Sequence, residues 1–179
     1  MIQKSSIWNT AGIFFNYPTN EHYLLEMSRE IDLAHTSLKQ NLNQLINEGI
    51  IKEKVNKRGN RKYPVYKADT DSQAYRQAKR AYNITTLLDS GLIQHLDDSL
   101  MPKCIVLFGS YARGEDVEES DIDIFIECKE QTMDLARYEK ALKRKIQLHF
   151  KKSFKDIPNE MKNSIINGIV LKGFLEAFK

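Results

Sequence analysis

Cys104-Ile105-Val106-Leu107-Phe108-Gly109-Ser110-Tyr111-Ala112-Arg113-Gly114, followed after a short acidic interval by Ser120-Asp121-Ile122-Asp123-Ile124-Phe125-Ile126, is the stretch on which the fold of this chain turns. Its first five residues are uninterrupted apolar side chains between Pro102 and Gly109, a pattern that predicts a strand covered on both faces. A glycine at the end of such a strand lets the backbone turn sharply and approach a ligand closely. A helix beginning at Ser110 would present free N–H groups and a hydroxyl to phosphate oxygens, and Arg113 would add a charge-assisted contact to the same phosphates. In the second segment Asp121 and Asp123 sit two apart, hence on one face of a strand and about 6.5–7 Å apart along it. Two carboxylates so placed repel each other unless a cation lies between them. Mg²⁺ (or Mn²⁺), a hard ion held through carboxylates and substrate phosphates, suits the pair, and would neutralise the pyrophosphate that leaves an NTP in a nucleotidyl transfer.

Gly109-Ser110, ten intervening residues and Asp121-Ile122-Asp123 on a hydrophobic strand resemble the minimal nucleotidyltransferases of the DNA polymerase beta superfamily, over about residues 103 to 173. Gly-Ser alone is uninformative and Asp-X-Asp alone is weak, whereas their ordered combination after a buried strand is specific. The rival reading, an acidic loop running into an edge strand, leaves unexplained why two carboxylates begin a strand this hydrophobic. The resemblance implies that Asp121 and Asp123 are catalytic and hold the metal, and that Gly109, Ser110 and Arg113 bind the nucleotide. It also implies a third carboxylate on a later strand, which organises the metal and activates the attacking hydroxyl. In Lys143-Arg144-Lys145-Ile146-Gln147-Leu148-His149-Phe150 the matching position holds Gln147, a neutral amide that does neither well. Glu127 shares the face of Asp123 but lies about 13 Å further along an extended strand, too far to substitute. His149 falls on the face of Gln147, where a histidine serves either as a base or as a structural residue. The tail predicts a helix over 158–167, a stop at Gly168 and a short strand at Ile169-Val170-Leu171-Lys172.

Upstream of this module the chain has a different character. Ile7, Ala11, Phe14 and Phe15, then Leu24, Leu25, Met27 and Ile31, then Leu38, Leu42, Leu45 and Ile46 recur at helical spacing, predicting three amphipathic helices, the last ended by Glu48-Gly49. Ile50 to Val55 and Tyr63 to Lys67 read as two strands about the turn 56–62, with Gly59 near its tip. Lys52, Lys54, Lys57, Arg58, Arg61, Lys62 and Lys67 face the single acid Glu53 in this region, whereas Glu115 to Asp123 holds six acids and no base. Three helices and a basic hairpin resemble the winged helix-turn-helix DNA-binding family of prokaryotic regulators, most closely over Glu26 to Ile51. The resemblance implies double-stranded DNA as a partner. Lys39, Gln40 and Asn43 would reach base edges from the third helix, Thr36 and Ser37 would hold a phosphate, and Lys57, Arg58, Arg61 and Lys62 on the wing would meet the backbone. An ordinary solvated helix face and a turn kept soluble by charge are the competing account of the same residues.

Between the modules, Tyr75, Ala78, Tyr82 and Leu87-Leu88 predict a helix interrupted near Ser90-Gly91, with Arg76, Lys79 and Arg80 on another face, where they either extend the basic surface or, as the default expectation, solvate the helix. In winged-helix proteins a helix at this place often makes a homodimer. The expected organisation is α+β: a winged helix-turn-helix over 1–69, a helical connector over 70–98, and a nucleotidyltransferase fold with a mixed sheet flanked by helices over 99–179. At 41% hydrophobic and 28% charged residues the chain is of globular composition. It offers neither an apolar run of membrane-spanning length nor the apolar core of a signal peptide, so the expectation is a cytoplasmic protein without a membrane partner. Cys104 and Cys128, both within apolar runs, are expected to be buried reduced thiols. The function these features imply is a DNA-binding transcriptional regulator whose second module binds Mg-NTP, with transfer weak or lost because of Gln147. The alternative is an active, antitoxin-like nucleotidyltransferase acting on a protein hydroxyl.

Overall fold

Apolar side chains recurring every three or four residues, then alternating or continuous apolar runs, yield helices followed by strands twice along the chain. The computed structural model describes residues 5–58 and 61–177, and for Arg58, Arg61 and Lys62 the backbone alone. The chain divides into two compact units, Met1–Tyr82 and Asn83–Lys179. Among the described residues no helix is long and apolar enough to cross a membrane.

In the first unit, helix α1 (Ser6–Asn16) is capped by the Ser5 hydroxyl, which accepts from the Trp8 N–H. Strand β1 (His22–Tyr23) leads directly into α2 (Leu24–Glu30), and α3 (His35–Asn47) ends where Gly49 adopts φ +70°. Strands β2 (Ile51–Arg58) and β3 (Arg61–Ala68) pair antiparallel, with β1 on the outer edge of β3. Leu38, Leu42 and Leu45 project from one side of α3 into a core shared with Phe14, Phe15, Met27, Ile51 and Tyr66. The hairpin is longer than its sequence suggests. Its ladder extends to the Lys57–Lys62 and Arg58–Arg61 pairs, leaving two residues between the strands, because backbone hydrogen bonds rather than side-chain polarity carry a ladder outside the core. Gly59, expected near the tip, lies outside the described residues.

Helix α4 (Gln73–Asp89) crosses the division between the units. Tyr75 is buried in the first core, its hydroxyl donating to the Phe14 carbonyl at 3.2 Å, while Leu87 belongs to the second. The expectation that Lys79 solvates the helix is corrected: it is fully buried, its ammonium 6.0 Å from the Tyr75 ring centroid one helical turn away.

The second unit continues with α5 (Leu92–Leu100), β4 (Cys104–Phe108), α6 (Gly109–Arg113), β5 (Ile122–Glu127), α7 (Ala136–Leu142), β6 (Ile146–Lys151), α8 (Asn159–Ile166) and β7 (Ile169–Gly173). The sheet has the order β6-β5-β4-β7, antiparallel except between β5 and β6. One face, carrying Ile105, Leu107, Ile122, Ile124 and Ile126, packs on Leu87, Leu92, Leu96, Tyr138 and Leu142. The other, carrying Cys104, Val106, Phe108 and Phe125, packs on Phe154, Ile157 and Ile165. Coverage on both faces is why β4 is apolar without interruption. The chain is thus a mixed α+β protein.

Cys104 is fully buried, and its thiol donates to Glu127 Oε2 at 3.5 Å. Burial, reinforced by the neighbouring carboxylate, pushes its pKa up to about 12, and burial also raises that of the half-buried Cys128. Only the thiolate is a good nucleophile, so a thiol held protonated at pH 8 is unreactive. We therefore expect Ellman's reagent at pH 8 to modify one thiol slowly in the folded protein, at Cys128, and both after denaturation. Rapid reaction of both in the native state would contradict the packing of β4.

Candidate functional site

The pairing of β4 with β5 sets Phe108 opposite Asp123, so the residue after Phe108 lies beside the head of β5. That residue is Gly109, at φ +77°, a left-handed conformation that L side chains rarely adopt. A Cβ at this position would stand 2.5 Å from Asp123 Oδ2. Glycine is therefore required twice over, by its backbone angle and by the carboxylate against it. Helix α6 begins here, with Ser110 partly exposed in its first turn and Tyr111 and Ala112 buried beneath. Arg113 is exposed, and its Nε donates to Glu115 Oε2 at 2.7 Å, a surface pair of small energetic weight.

Asp121 immediately precedes β5 and Asp123 is its second residue, both partly exposed. The parallel pairing of β5 and β6 puts Gln147 opposite Asp123 and His149 opposite Phe125, and each of the two β6 side chains reaches the residue two positions before its register partner. Gln147 Nε2 donates to Asp121 Oδ2 at 2.7 Å, and His149 Nε2 lies 3.1 Å from Asp123 Oδ1, donating in the tautomer that carries the proton there. The His149 ring is itself braced by Phe108, with centroids 5.1 Å apart. One oxygen of each aspartate, Asp121 Oδ1 and Asp123 Oδ2, thus remains unengaged among the described residues, and the second of these faces Gly109.

That donor set fits a hard divalent cation. Each carboxylate keeps one oxygen without a hydrogen bond among the described residues, that of Asp123 lying against the left-handed Gly109, and a Mg²⁺ so held would take its remaining oxygens from phosphate and water. Among the described residues no group of three or more His, Cys, Asp or Glu side chains is arranged to hold a metal ion. The acidic interval is less uniform than it reads. Asp116 is buried, accepting from Asn83 Nδ2 at 2.7 Å and lying 3.6 Å from Arg144 Nη2, while Asn83 also donates to the Tyr111 carbonyl at 2.9 Å. The loop between Ser110 and Asp121 is therefore pinned from inside, and Asp116 faces the Arg144 guanidinium. Glu127 is also buried, at the far end of β5, 3.9 Å from Lys103 Nζ.

With this geometry in hand, the comparisons are specific about the second unit. Residues 91–174 match the family described as Polymerase beta, Nucleotidyltransferase. The second unit carries a nucleotidyltransferase-family domain. A relative from Methanocaldococcus jannaschii, named as a protein adenylyltransferase, is 48% identical over 66 residues; the match covers 32% of this chain and 66% of the relative, just under two thirds. A solved structure from Methanosarcina mazei Go1, described as a possible transcriptional regulator, is 18% identical, with 53% of this chain and 78% of that chain covered, at a TM-score of 0.37, a likeness too low to carry an argument. Within the nucleotidyltransferase domain the structure brings Gly109, Ser110, Asp121 and Asp123 together and adds Gln147 and His149. Their side-chain partners depend on strand register, which the sequence signals only through the two-residue spacing on β6.

In the first unit, Thr36, Lys39, Gln40 and Asn43 are exposed and Ser37 partly so, all on α3 away from the buried leucines. Lys57 is exposed on β2; Arg58, Arg61 and Lys62 have their backbones near the end of the hairpin, and their side chains lie outside the described residues. Lys52, counted with the basic hairpin, is occupied by Asp69 at 2.7 Å. A groove of about 730 Å³ next to Lys57, lined by Tyr23, Leu25, Arg29 and Tyr63 among others, had no counterpart in the sequence pattern.

The close approach of positions 109 and 123 is directly measurable. Gly109→Ala should lower the unfolding free energy by about 1–3 kcal/mol, the cost of a left-handed side chain made worse by the carboxylate. In the Asp123→Ala background the same change should cost at least about 0.5 kcal/mol less, in a double-mutant cycle by chemical denaturation. Additive effects would show that the two residues do not touch.

Proposed function

We propose that this protein is a DNA-binding regulator in which a winged helix-turn-helix precedes a nucleotidyltransferase domain that binds Mg-NTP, with transfer weak or absent. The reading of the second unit rests on one observation above the others: at the place where the family resemblance implies a third carboxylate, the Gln147 amide donates to Asp121. Asp121 and Asp123 would hold Mg²⁺ (or Mn²⁺) through their spare oxygens. When bound, the ion would neutralise charge on the phosphates and on departing pyrophosphate. Gly109 lets the backbone come close to the phosphates, and the Ser110 hydroxyl and N–H are available to donate to them. Gln147 and His149 orient the two aspartates. A neutral amide accepts no proton from an attacking hydroxyl, so the arrangement favours binding over turnover.

The first unit supports the regulator half by its element order, three helices and a two-stranded hairpin, and by its charge. The outer side of α3 offers Lys39, Gln40 and Asn43 for base edges, and Thr36 and Ser37 for phosphate, while Lys57, Arg58, Arg61 and Lys62 supply wing cations.

A second reading is favoured by the relative's name and by the placing of His149 beside Asp123. In it, the domain transfers a nucleotidyl group to a hydroxyl of a protein acceptor, forming a phosphodiester and releasing pyrophosphate.

Incubation with α-labelled ATP and Mg²⁺ or Mn²⁺ in cell extract separates the two. The binding reading expects a rise in melting temperature with Mg-ATP, abolished by Asp121→Asn with Asp123→Asn, and little label on any component; Gln147→Glu should raise labelling by tenfold or more, general-base gains being typically about a hundredfold upward. Strong, aspartate-dependent labelling by the unaltered protein would decide for the second reading, and no thermal shift would remove both. For the first unit, replacing Lys57, Arg58, Arg61 and Lys62 with Gln should flatten the dependence of log affinity for duplex DNA on log salt by roughly 0.9 for each phosphate no longer neutralised. An unchanged slope would remove the wing from the account.

A further inference from the structure

Three polar side chains that take no direct part in the candidate site are buried together in the second unit. Asn83, on α4, donates through Nδ2 both to the Tyr111 carbonyl at 2.9 Å and to Asp116 Oδ1 at 2.7 Å. Asp116 Oδ2 lies 3.6 Å from Arg144 Nη2, the Arg144 side chain being 4% exposed and that of Asp116 1%. Resting on the Mg-NTP reading above, we propose that Asn83, Asp116 and Arg144 are positioning residues for that site, a buried network that holds Ser110, Asp121 and Gln147 in the arrangement that binds the ion and its nucleotide.

Stability alone does not account for such a network. Taking a guanidinium and a carboxylate out of water carries a desolvation cost that their mutual attraction often fails to exceed, and apolar side chains of similar volume commonly serve a fold as well or better. The chain accepts backbone strain at the same place. Lys143 has φ +55°, left-handed for a residue with a side chain, and Arg144 after it donates from Nη1 to the Lys143 carbonyl at 2.9 Å. What a satisfied buried polar network supplies in return is a single fixed geometry.

The attachments of the three residues show which geometry is fixed. Tyr111, whose carbonyl Asn83 holds, follows Ser110 in α6, and the Glu115 N–H donates to the Ser110 carbonyl at 3.0 Å, so the glycine turn and the start of the loop are tied together. At the other end of the loop the Val117 N–H donates to the Ser120 hydroxyl and the Ser120 N–H to the Val117 carbonyl, both at 3.0 Å. That closed turn carries the anchoring of Asp116 directly to Asp121. Arg144 stands three residues before Gln147, and between them the Lys145 carbonyl accepts from the N–H of Ile122, the residue between the two aspartates, at 2.8 Å. The bond from Gln147 to Asp121 is made at the surface, where water competes and one hydrogen bond does little to hold two strand heads. The buried network beneath it supplies that constraint.

The test uses the intact chain and two variants, with Mn²⁺ and ATP as the probe and affinity read from water-proton relaxation. Asp116→Leu with Arg144→Met removes both charges, so neither ion of the pair is left buried without the other. Asn83→Ala keeps both charges and removes only the link to the Tyr111 carbonyl. The first variant should have a denaturation midpoint near or above that of the unaltered protein. In both, the affinity of the folded protein for Mn²⁺–ATP should fall by roughly fivefold or more, the equivalent of one hydrogen bond of ordinary strength. In the nucleotide-free variants the Gln147 side-chain amide resonances should move to the position of a solvated amide, a change that a merely stabilising network would not produce. Either readout unchanged in a folded variant overturns the positioning role. Failure of both variants to fold would make the network a requirement of the fold rather than of the site, and would overturn it equally. If the unaltered protein binds no Mn²⁺–ATP, the Mg-NTP reading itself falls and the positioning role with it.

Discussion

Everything distinctive in the second unit depends on one close approach, the Asp123 carboxylate against a backbone position that has no side chain. β4 must end, turn back and start a helix within a residue or two of a partner strand whose head carries an acid. A Cβ at position 109 would occupy the space of Asp123 Oδ2, and its backbone angle is one that only glycine takes without strain. With glycine there, the carboxylate and a helix start share one small region. The central strands β4 and β5 are apolar for a separate reason. Both sheet faces are covered, and the rigidity that results holds the two aspartates in register with β6.

A second constraint is electrostatic. Among the described residues no lysine or arginine pairs with Asp121 or Asp123, and each is steadied by one neutral or titratable donor from β6. That pattern leaves one oxygen per carboxylate without a hydrogen bond among the described residues, that of Asp123 lying against Gly109. It is an arrangement suited to an ion brought in with phosphate, and one in which the residue beside Asp121 has no capacity to take a proton. In the same unit the buried Asp116, which meets Arg144 directly and accepts from Asn83, anchors the intervening loop. Acids only a few residues apart in sequence therefore have opposite duties.

Much of this was legible in the sequence because the signals were local. The all-apolar run from Cys104 to Phe108, the Gly-Ser after it and the paired aspartates identify β4, the turn and β5 without reference to anything distant. The leucine stripe of α3 and the basic hairpin are equally local. What the sequence did not disclose depends on long-range register or on burial. β1 is only two residues long and exists because β3 offers it an edge; the hairpin ladder runs through polar residues because its bonds are made by backbone. Lys79 reads as a solvated lysine, and its burial follows from tertiary packing. The reach of Gln147 to Asp121 and of His149 to Asp123 follows from the parallel alignment of β5 and β6, which spacing alone leaves open.

The central claim is that a divalent ion and a nucleotide share the place defined by Gly109, Asp121 and Asp123. The most direct measurement is paramagnetic broadening of amide resonances in the isotopically labelled full-length protein, as Mn²⁺ is added at substoichiometric amounts in the presence of ATP. The account predicts that the signals of Gly109, Ser110, Asp121 and Asp123 disappear first, ahead of those near the acidic side chains Glu130 and Asp134, and that excess Mg²⁺ restores them. Broadening that begins elsewhere, or that spreads evenly over the exposed acids, would contradict it.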